Sequence, residues 1–481
     1  MNQVSQHGLQ ISSGASWASR WSIKTTLFVL LMFVFGIWGW VDVRERGRVD
    51  PNDIYAHRTD FTVYTEAGAA FFDGRDPYAV SNPRGWKYLY PPLFAILVAP
   101  LHAVSTQSQV LIWFGASALM WWSCYIECVR IARAVLPGEP ERGLFGPIPA
   151  WIGWLAIAAS VLPALNCLQR GQVEVAKLLL LLLGFRLMIQ RRSTLRSLLG
   201  GGAFALSIVL KVTPLLPAAF VLGQQFVVGW RSGWSYSDRR QTSACWFGTT
   251  GGLAICFLLL PAAIVGWRAN LDHLETWWYK VAIRIETTTA DNFAGNSYSV
   301  RNQSLTNATH RLGNWIHYQF GGGPYDDDPL NLGKGGPGLV MDTPLVDQIL
   351  LGIRVLAGCL LLIAGYRTAR EDLLGQAAGF GLACVATLVI VPIARAHYFV
   401  MMLPAILFLG CWLVRQGRPR WAIVFVVVPG VLTIAHFVFV EQVGRMGLLG
   451  LGTAVWYVTS CVALSGSAPR MRRDAPHGGL P

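Results

Sequence analysis

Charge is scarce in this chain: only 14% of its 481 residues are Asp, Glu, Lys or Arg, with 26 acidic residues against 39 basic ones. Soluble domains carry about 25% charged residues, so a large water-exposed globule is excluded. The net charge of +13 would suggest nucleic acid in a soluble domain. Here the arginines sit in short clusters between apolar blocks, where they set membrane topology, and nucleic acid is not expected as a partner. The nine cysteines include no CxxC pair and most lie within apolar segments, which argues against a zinc site or a disulfide framework and for core packing. A GxxxxGK[ST] phosphate loop is also missing, and the GGG runs do not lie between a strand and a helix. Cytosolic ATP or a sugar nucleotide is therefore not expected as the energy source.

What the chain has is apolar length. It is 53% hydrophobic, with a mean hydropathy of +0.43, and the apolar residues gather into blocks of about 20, the length that spans a bilayer core. The expected fold is an all-α integral membrane protein. After a polar tail at 1–22, LFVLLMFVFGIWGWV has no small-residue cleavage site and reads as an uncleaved signal anchor. Two segments decide the topology. PPLFAILVAPLHA, 91–103, rises only about 20 Å as a helix and opens with two prolines, so it is expected to be re-entrant or interfacial. The run 198–230 is interrupted by LKVTP, a lysine and a helix breaker inside hydrocarbon, so it is expected to be two helices with Lys211 near the turn. These two readings give about twelve crossings between 23 and 465, with a first outer loop at 43–107, a large outer loop at 267–345 and a C-terminal tail at 466–481. The basic clusters QRRSTLR, WRSGWSYSDRR, YRTARED, VRQGRPRW and APRMRR then share the N-terminal side, which the positive-inside rule makes cytoplasmic. VRERGRV resists, since it falls on the outer face.

The unusual polar residues collect on that outer face. Asp60 in HRTDF precedes Phe61, Tyr64, Gly68 and Phe71, whose spacing predicts an amphipathic helix along the membrane surface. Asp60 has two compatible readings: a helix N-cap, or a carboxylate kept charged at a helix start, as a general base requires. Lys211, well inside an apolar run, snorkels, pairs or binds an anion. Arg395 and His397 sit in a short outer turn and are either interfacial anchors or, with Lys211, a basic pocket for a phosphate. Gln172 heads a span beside Gly171 and either caps or packs between helices, and Glu174 and Lys177 stand at the three-residue spacing of a local ion pair. Asn302 and Asn307 open N-x-S/T sequons. GGGPYDDDPLNLGKGGPG, 321–338, lacks the spaced ligands of a calcium loop and reads as a solvated loop.

Taken in order, the D-x-x-x-Y of the first loop (Asp60, Tyr64), the G-x-D-P-Y turn at 74–78, Y-P-P-L at 90–93, GQ at 171–172, LKVTP at 210–214, NQSL at 302–305 and HYFVMMLP at 397–404 resemble the GT-C glycosyltransferases, most closely glycosyltransferase family 87. The resemblance covers roughly residues 23–415. It implies a GT-C-like bundle with interfacial helices in the first outer loop, working as a multi-pass protein of the cell membrane with its site on the periplasmic or extracellular face. The implied reaction is an inverting transfer of a sugar, usually mannose, from a polyprenyl-phosphate donor to a hydroxyl of a glycolipid or glycan. It further implies Asp60 as the catalytic base, Lys211, Arg395 and His397 on the donor phosphate, and His57, Tyr64, Gln172, Asn302 and Gln303 on sugar or acceptor. Asp53 and Asp60 are too far apart for the D-x-D pair of metal-dependent members, so a reaction without metal or other cofactor is expected. A transporter or flippase of polyprenyl-linked lipid is the alternative. The chain shows no repeat between its halves and gathers its polar groups at one face, which counts against transport.

Overall fold

The structure is a computed structural model that describes residues 23–190, 193–231, 233–282, 302–309, 312 and 344–466. The tails, the 321–338 stretch and most of the 267–345 loop lie outside the described residues. Among the described residues every extended element is a helix, and pairing of β type is confined to two isolated bridges, Ser81 with Lys87 and Asn302 with Arg395. The chain opens with α1 (Ile23–Arg46), which leads into the loop carrying α2 (Phe61–Phe72) and α3 (Pro92–Val98). Pro91 and Pro92 start α3, and a 3-10 turn over Ala99–Ala103 ends it after two short turns, too little to cross a bilayer.

Long helices follow: α4 (Thr106–Val135), α5 (Ala150–Arg170), α6 (Glu174–Ile189), α7 (Thr194–Leu210), α8 (Leu215–Arg231) and α9 (Tyr236–Ala254). Their starts are marked by hydroxyl caps: Ser105, Ser193 and Ser235 each accept a backbone N–H of the first turn. The break between α7 and α8 falls at Lys211, as its lysine and Pro214 dictate. A π-helical turn at Ile255–Leu259 carries α9 on into α10 (Leu260–Val265), and Gly266, at φ 88°, turns the chain into α11 (Trp267–Trp277). The C-terminal half adds α12 (Pro344–Thr368), α13 (Leu373–Ile390), α14 (Leu403–Arg415), α15 (Pro419–Val438), α16 (Val440–Arg445) and α17 (Leu448–Ser465). Among the described residues, eight helices are long and apolar enough to cross a membrane on their own. The expected number of about twelve also counts α1, α6, α7 and α8, which are helical but fall outside that group.

Burial sorts the spans. About nine-tenths of α13, and of the helical stretch Ala396–Arg415 that holds α14, is covered by protein, whereas the outer α4 and the α9–α10 helix bury 28% and 22%. The inner pair forms the axis, and the outer helices turn leucine, tryptophan and phenylalanine outward, where a lipid surface suits them. Eight of the nine cysteines are buried thiols packed among these helices.

Close packing within the bundle uses small residues. A Cβ on Gly201 of α7 would collide with the Cys245 carbonyl of α9, and one on Gly248 of α9 would collide with the Leu198 carbonyl. The backbones meet with no side chain between them. Gly248→Val should therefore push α9 from α7 and destabilise the detergent-solubilised protein by about 1–3 kcal/mol, read as a lowered thermal midpoint. An unchanged midpoint would show that the two helices separate at no cost.

The ends of the helices remote from Asp60 carry paired basic residues: Arg133 with Glu141, Arg142 with Glu139, Arg415 with Asp372 at 2.5 Å, and Arg231 and Arg370 over the Tyr366 ring. Two of the three exceptional arginines of the first loop are matched locally, Arg46 by Asp42 at 2.6 Å and Arg48 by Asp50 at 3.2 Å.

Candidate active site

Asp60 is placed by a turn between α5 and α6. Gly171 ends α5 at φ 69°, and a Cβ there would strike Phe61 and the Thr59 hydroxyl, so only glycine lets this turn touch the start of α2. The contact is sealed by the Asp60 N–H donating to the Arg170 carbonyl at 2.9 Å. From the other side, the Asn82 side chain donates to the Thr59 carbonyl at 3.0 Å.

The Asp60 carboxylate sits at the N-cap position of α2 and does not cap it. The Thr59 hydroxyl accepts the Phe61 N–H instead, at 3.2 Å. Asp60 is turned toward the α5–α6 corner, where it accepts from the Gln172 amide and, at 3.3 Å, from the Arg170 guanidinium. The capping expectation therefore fails at the side chain. Nor does α2 rest an aromatic side on lipid: nine of its twelve residues are buried, and Phe61, Tyr64 and Phe71 pack inward while Phe72 alone of its aromatics is exposed. The helix is apolar around most of its circumference because α3, α4 and the 3-10 turn cover it.

Gln172 is oriented by a hydrogen-bond chain. The Tyr64 hydroxyl donates to the Tyr90 hydroxyl at 3.2 Å, and Tyr90 donates to the Gln172 Oε1 at 3.0 Å, which leaves the Gln172 NH2 for Asp60. Burial pushes both phenols well above their ordinary range, so each keeps its proton. Tyr64 is thereby a buried support beneath Asp60.

His57 is also buried, with Nε2 2.7 Å from the Thr62 hydroxyl and Nδ1 3.3 Å from the Arg48 carbonyl. Burial lowers its imidazole below the ordinary value, against the smaller raising effects of the Arg48 carbonyl and Asp60. A histidine that titrates near about 6.5 when unfolded and lower when folded adds stability above that pH. That contribution is lost as pH falls from there through the folded value. The thermal midpoint should drop between pH 7.5 and 5.5, and His57→Gln should remove part of the drop; a midpoint that rises on acidification would contradict the assignment.

A second group of charges lies on the far side of Tyr90. Glu174, fully buried at the first turn of α6, accepts from the Lys211 ammonium at 2.7 Å and from Lys177 at 3.4 Å, and its second oxygen is 3.8 Å from the His397 Nε2. The i,i+3 pair of Glu174 and Lys177 is present, and Lys211 also donates to the Tyr398 hydroxyl at 2.5 Å. Of Lys211's three readings the structure shows the paired one. Lys211 nonetheless keeps 14% of its side chain exposed, while Lys177 keeps 2%. The Lys211 ammonium lies 5.2 Å from the Tyr90 ring, so one tyrosine touches both the Asp60 side and the cationic side.

Arg395 is the N-cap of the 3-10 segment Ala396–Met402, and His397 lies in its first turn. His397 is 1% exposed and Arg395 half-buried. Asn302 and Gln303 brace this turn from behind. The Asn302 side-chain oxygen accepts the Ala394 N–H at 3.0 Å, and the Gln303 N–H donates to the Ala394 carbonyl at 2.7 Å. The Gln303 amide donates to the Gly444 carbonyl, and a Cβ on Gly450 would strike the Gln303 carbonyl. The NQSL segment is thus clamped between the Arg395 turn and the C-terminal helices α16 and α17. Asn302 and Asn307 are 3% and 2% exposed, so both sequons are closed in the folded chain.

Of the residues singled out from sequence, Asp60, Gln172 and Tyr64 form one linked group and Lys211 and His397 another around Glu174, while Asn302 and Gln303 sit behind the Arg395 turn. Four residues with direct contacts were not singled out as site residues: Arg170, Tyr90, Glu174 and Tyr398. Tyr90 and Tyr398 stood inside quoted motifs, Arg170 directly precedes the GQ pair, and Glu174 was read as half of a local pair. Among the described residues no three His, Cys, Asp or Glu side chains gather as a metal-binding group.

A polyprenol-phosphate-mannose-dependent alpha-(1-2)-phosphatidylinositol pentamannoside mannosyltransferase of Mycobacterium tuberculosis is 31% identical over 140 residues, 28% of this chain and 28% of that protein. The alignment thus spans less than a third of the curated relative. Among solved structures, the Archaeoglobus fulgidus oligosaccharyltransferase in its apo form superposes with a TM-score of 0.37 at 13% identity, over 93% of this chain and 58% of the other. The family match covers residues 88–392; it contains Gln172, Glu174, Lys177, Lys211, Asn302 and Gln303, begins after Asp60 and ends just before Arg395 and His397. Since that match takes in more than half of the sequence, this chain belongs to glycosyltransferase family 87.

Proposed function

We propose that this glycosyltransferase moves a sugar, mannose in the first instance, from a polyprenyl-phosphate carrier to a hydroxyl of a glycolipid or glycan, with inversion at the anomeric carbon. The observation that carries this reading is the pairing, across Tyr90, of a carboxylate held at a helix start with an ammonium that still reaches the surface. In the reaction the acceptor oxygen attacks the anomeric carbon while Asp60 takes its proton. The bond from that carbon to the phosphate oxygen breaks, and the electron pair leaves on the lipid phosphate. Lys211, backed by Arg395, meets the growing phosphate charge, where fixed cations in a partly dry site act most strongly, and His397, enclosed beside Glu174, serves the site through that cluster. His57, Tyr64 and Gln172 shape the acceptor and sugar side by holding Asp60 and α2, and Asn302 and Gln303 serve it through the turn they brace.

The site faces the outside in this reading, because the paired arginine clusters lie at the opposite ends of the helices and mark the cytoplasmic side. The dependence of the mycobacterial relative on polyprenol-phosphate-mannose supports the donor class. The reading includes no metal: Asp53 and Asp60 do not stand as a D-x-D pair, and the Asp53 Oδ1 caps a local turn by accepting the Tyr55 N–H at 2.9 Å.

The test is direct. Proteoliposomes containing the protein are given a series of radiolabelled polyprenyl-phosphate sugars and a crude glycolipid acceptor fraction, with and without EDTA. Label from the mannose donor is expected in an extractable product, undiminished by the chelator. Movement of intact carrier lipid between leaflets without transfer of label would establish transport in its place.

A further inference from the structure

Lys177 is among the largest fully buried side chains, yet it carries an ammonium. That ammonium donates to Glu174 at 3.4 Å and to the Thr213 hydroxyl at 3.0 Å, and lies 5.4 Å from the Tyr398 ring. It has no route to a substrate. Glu174 is equally enclosed, and the same oxygen that takes Lys177 takes Lys211. The three groups therefore share two positive charges against one negative charge, and only Lys211 reaches the surface. If Glu174 had Lys211 as its one lysine partner, the pair would be neutral and an approaching phosphate would meet no net charge there.

We infer that Lys177 is a charge-setting residue: it neutralises Glu174 from within, so that Glu174 fixes the position of Lys211 without cancelling the charge Lys211 offers to an anionic phosphate. Glu174 acts as a rigid seat, and Lys177 as its buried counter-ion. This inference rests on the proposed donor-phosphate site and names how that site keeps its charge. The groups that face this cluster are Glu174 and Lys177 from α6, Lys211 from the α7–α8 break, His397, Tyr398 and Arg395 from the 394–398 turn, Tyr90 from the first loop, and Arg170 and Cys167 from α5.

The experiment measures binding of sugar-free polyprenyl monophosphate to the full chain in nanodiscs, together with KM for the acceptor. Lys177→Met should weaken binding of the lipid phosphate about tenfold or more, the scale of one unit charge acting through a few ångströms of protein, with little change in acceptor KM. The double variant Glu174→Gln with Lys177→Met removes both charges at once and leaves Lys211 charged, so its binding should return to within about threefold of the wild type, a non-additivity that only coupled residues produce. A merely structural Lys177 predicts the reverse order, with the double variant weaker than the single one. Unchanged binding in Lys177→Met, or no recovery in the double variant, overturns the inference. Should Lys177→Met not purify, Lys177→Gln takes its place, and failure of all three variants to purify also counts against it, since the balanced double variant is expected to fold. Wild-type protein that binds no polyprenyl monophosphate would instead remove the donor-phosphate reading itself.

Discussion

Asp60→Asn is expected to abolish sugar transfer while leaving the protein folded. Asn retains an oxygen that accepts from the Gln172 amide but has no basicity with which to take the acceptor proton. Loss of a positioned general base removes about 10²–10⁴-fold in rate. The structural loss is smaller. The Asp60–Arg170 pair is mostly buried, 15% and 14% exposed at the two side chains, and losing one charge-assisted hydrogen bond of this kind costs about 1.5–3 kcal/mol. Since the carboxylate does not cap α2, no helix start is lost. Single-turnover assays with pre-bound donor separate the two effects: the affinity for lipid phosphate should stay near wild type and the thermal midpoint should fall modestly, while transfer disappears. Near-wild-type transfer by the amide variant would rule out Asp60 as the base.

Glu174→Leu should have the largest effect on stability. Lys177 is 2% exposed and finds its charge partner in Glu174, and His397 faces the same carboxylate from a fully enclosed position. Removing one member of a buried charge pair costs about 3–5 kcal/mol, because the remaining charge stays uncompensated out of water. The variant should yield little folded protein, or show a thermal midpoint many degrees lower in detergent. Glu174→Gln, which keeps an acceptor for both lysines, should lose less. Equal stability of Glu174→Leu and the wild type would mean that water or lipid headgroups reach Lys177 and solvate it.

The sequence announced those features whose cause is local. Lys211 and Pro214 inside an apolar run required a break, and the helices part at that point. Glu174 and Lys177 at three-residue spacing had to share a helix face, and they do. Gly171 stood in the sequence only as the neighbour of Gln172, and the glycine-only turn it makes appears in the structure. The features that escaped are contacts between distant parts of the chain. Tyr90 meets Gln172 across 82 positions, Lys211 meets Glu174 across 37 and Tyr398 across 187. No periodicity reports such pairs, because helix packing creates them. Asp60 shows the same limit in reverse: its position at a helix start was legible, but the direction of its carboxylate was decided by Gln172 and Arg170, 112 and 110 residues away. The aromatic spacing of α2 likewise could not reveal that protein, and not lipid, would cover it.

The enclosure of Asn302 and Asn307 bears on how this protein is produced. In a eukaryotic host whose oligosaccharyl machinery works on nascent chains, a glycan would have to be attached before the NQSL segment docks against α17, and once attached it would hold that segment out of its groove. Copies modified there would be trapped with the Arg395 turn unbraced. Asn302→Gln is a poor remedy, because the side-chain oxygen that holds the Ala394 N–H would be displaced. Ser304 sits in the same clamp, and its hydroxyl accepts the Asn307 N–H. A host without N-glycosylation avoids the competition between modification and folding.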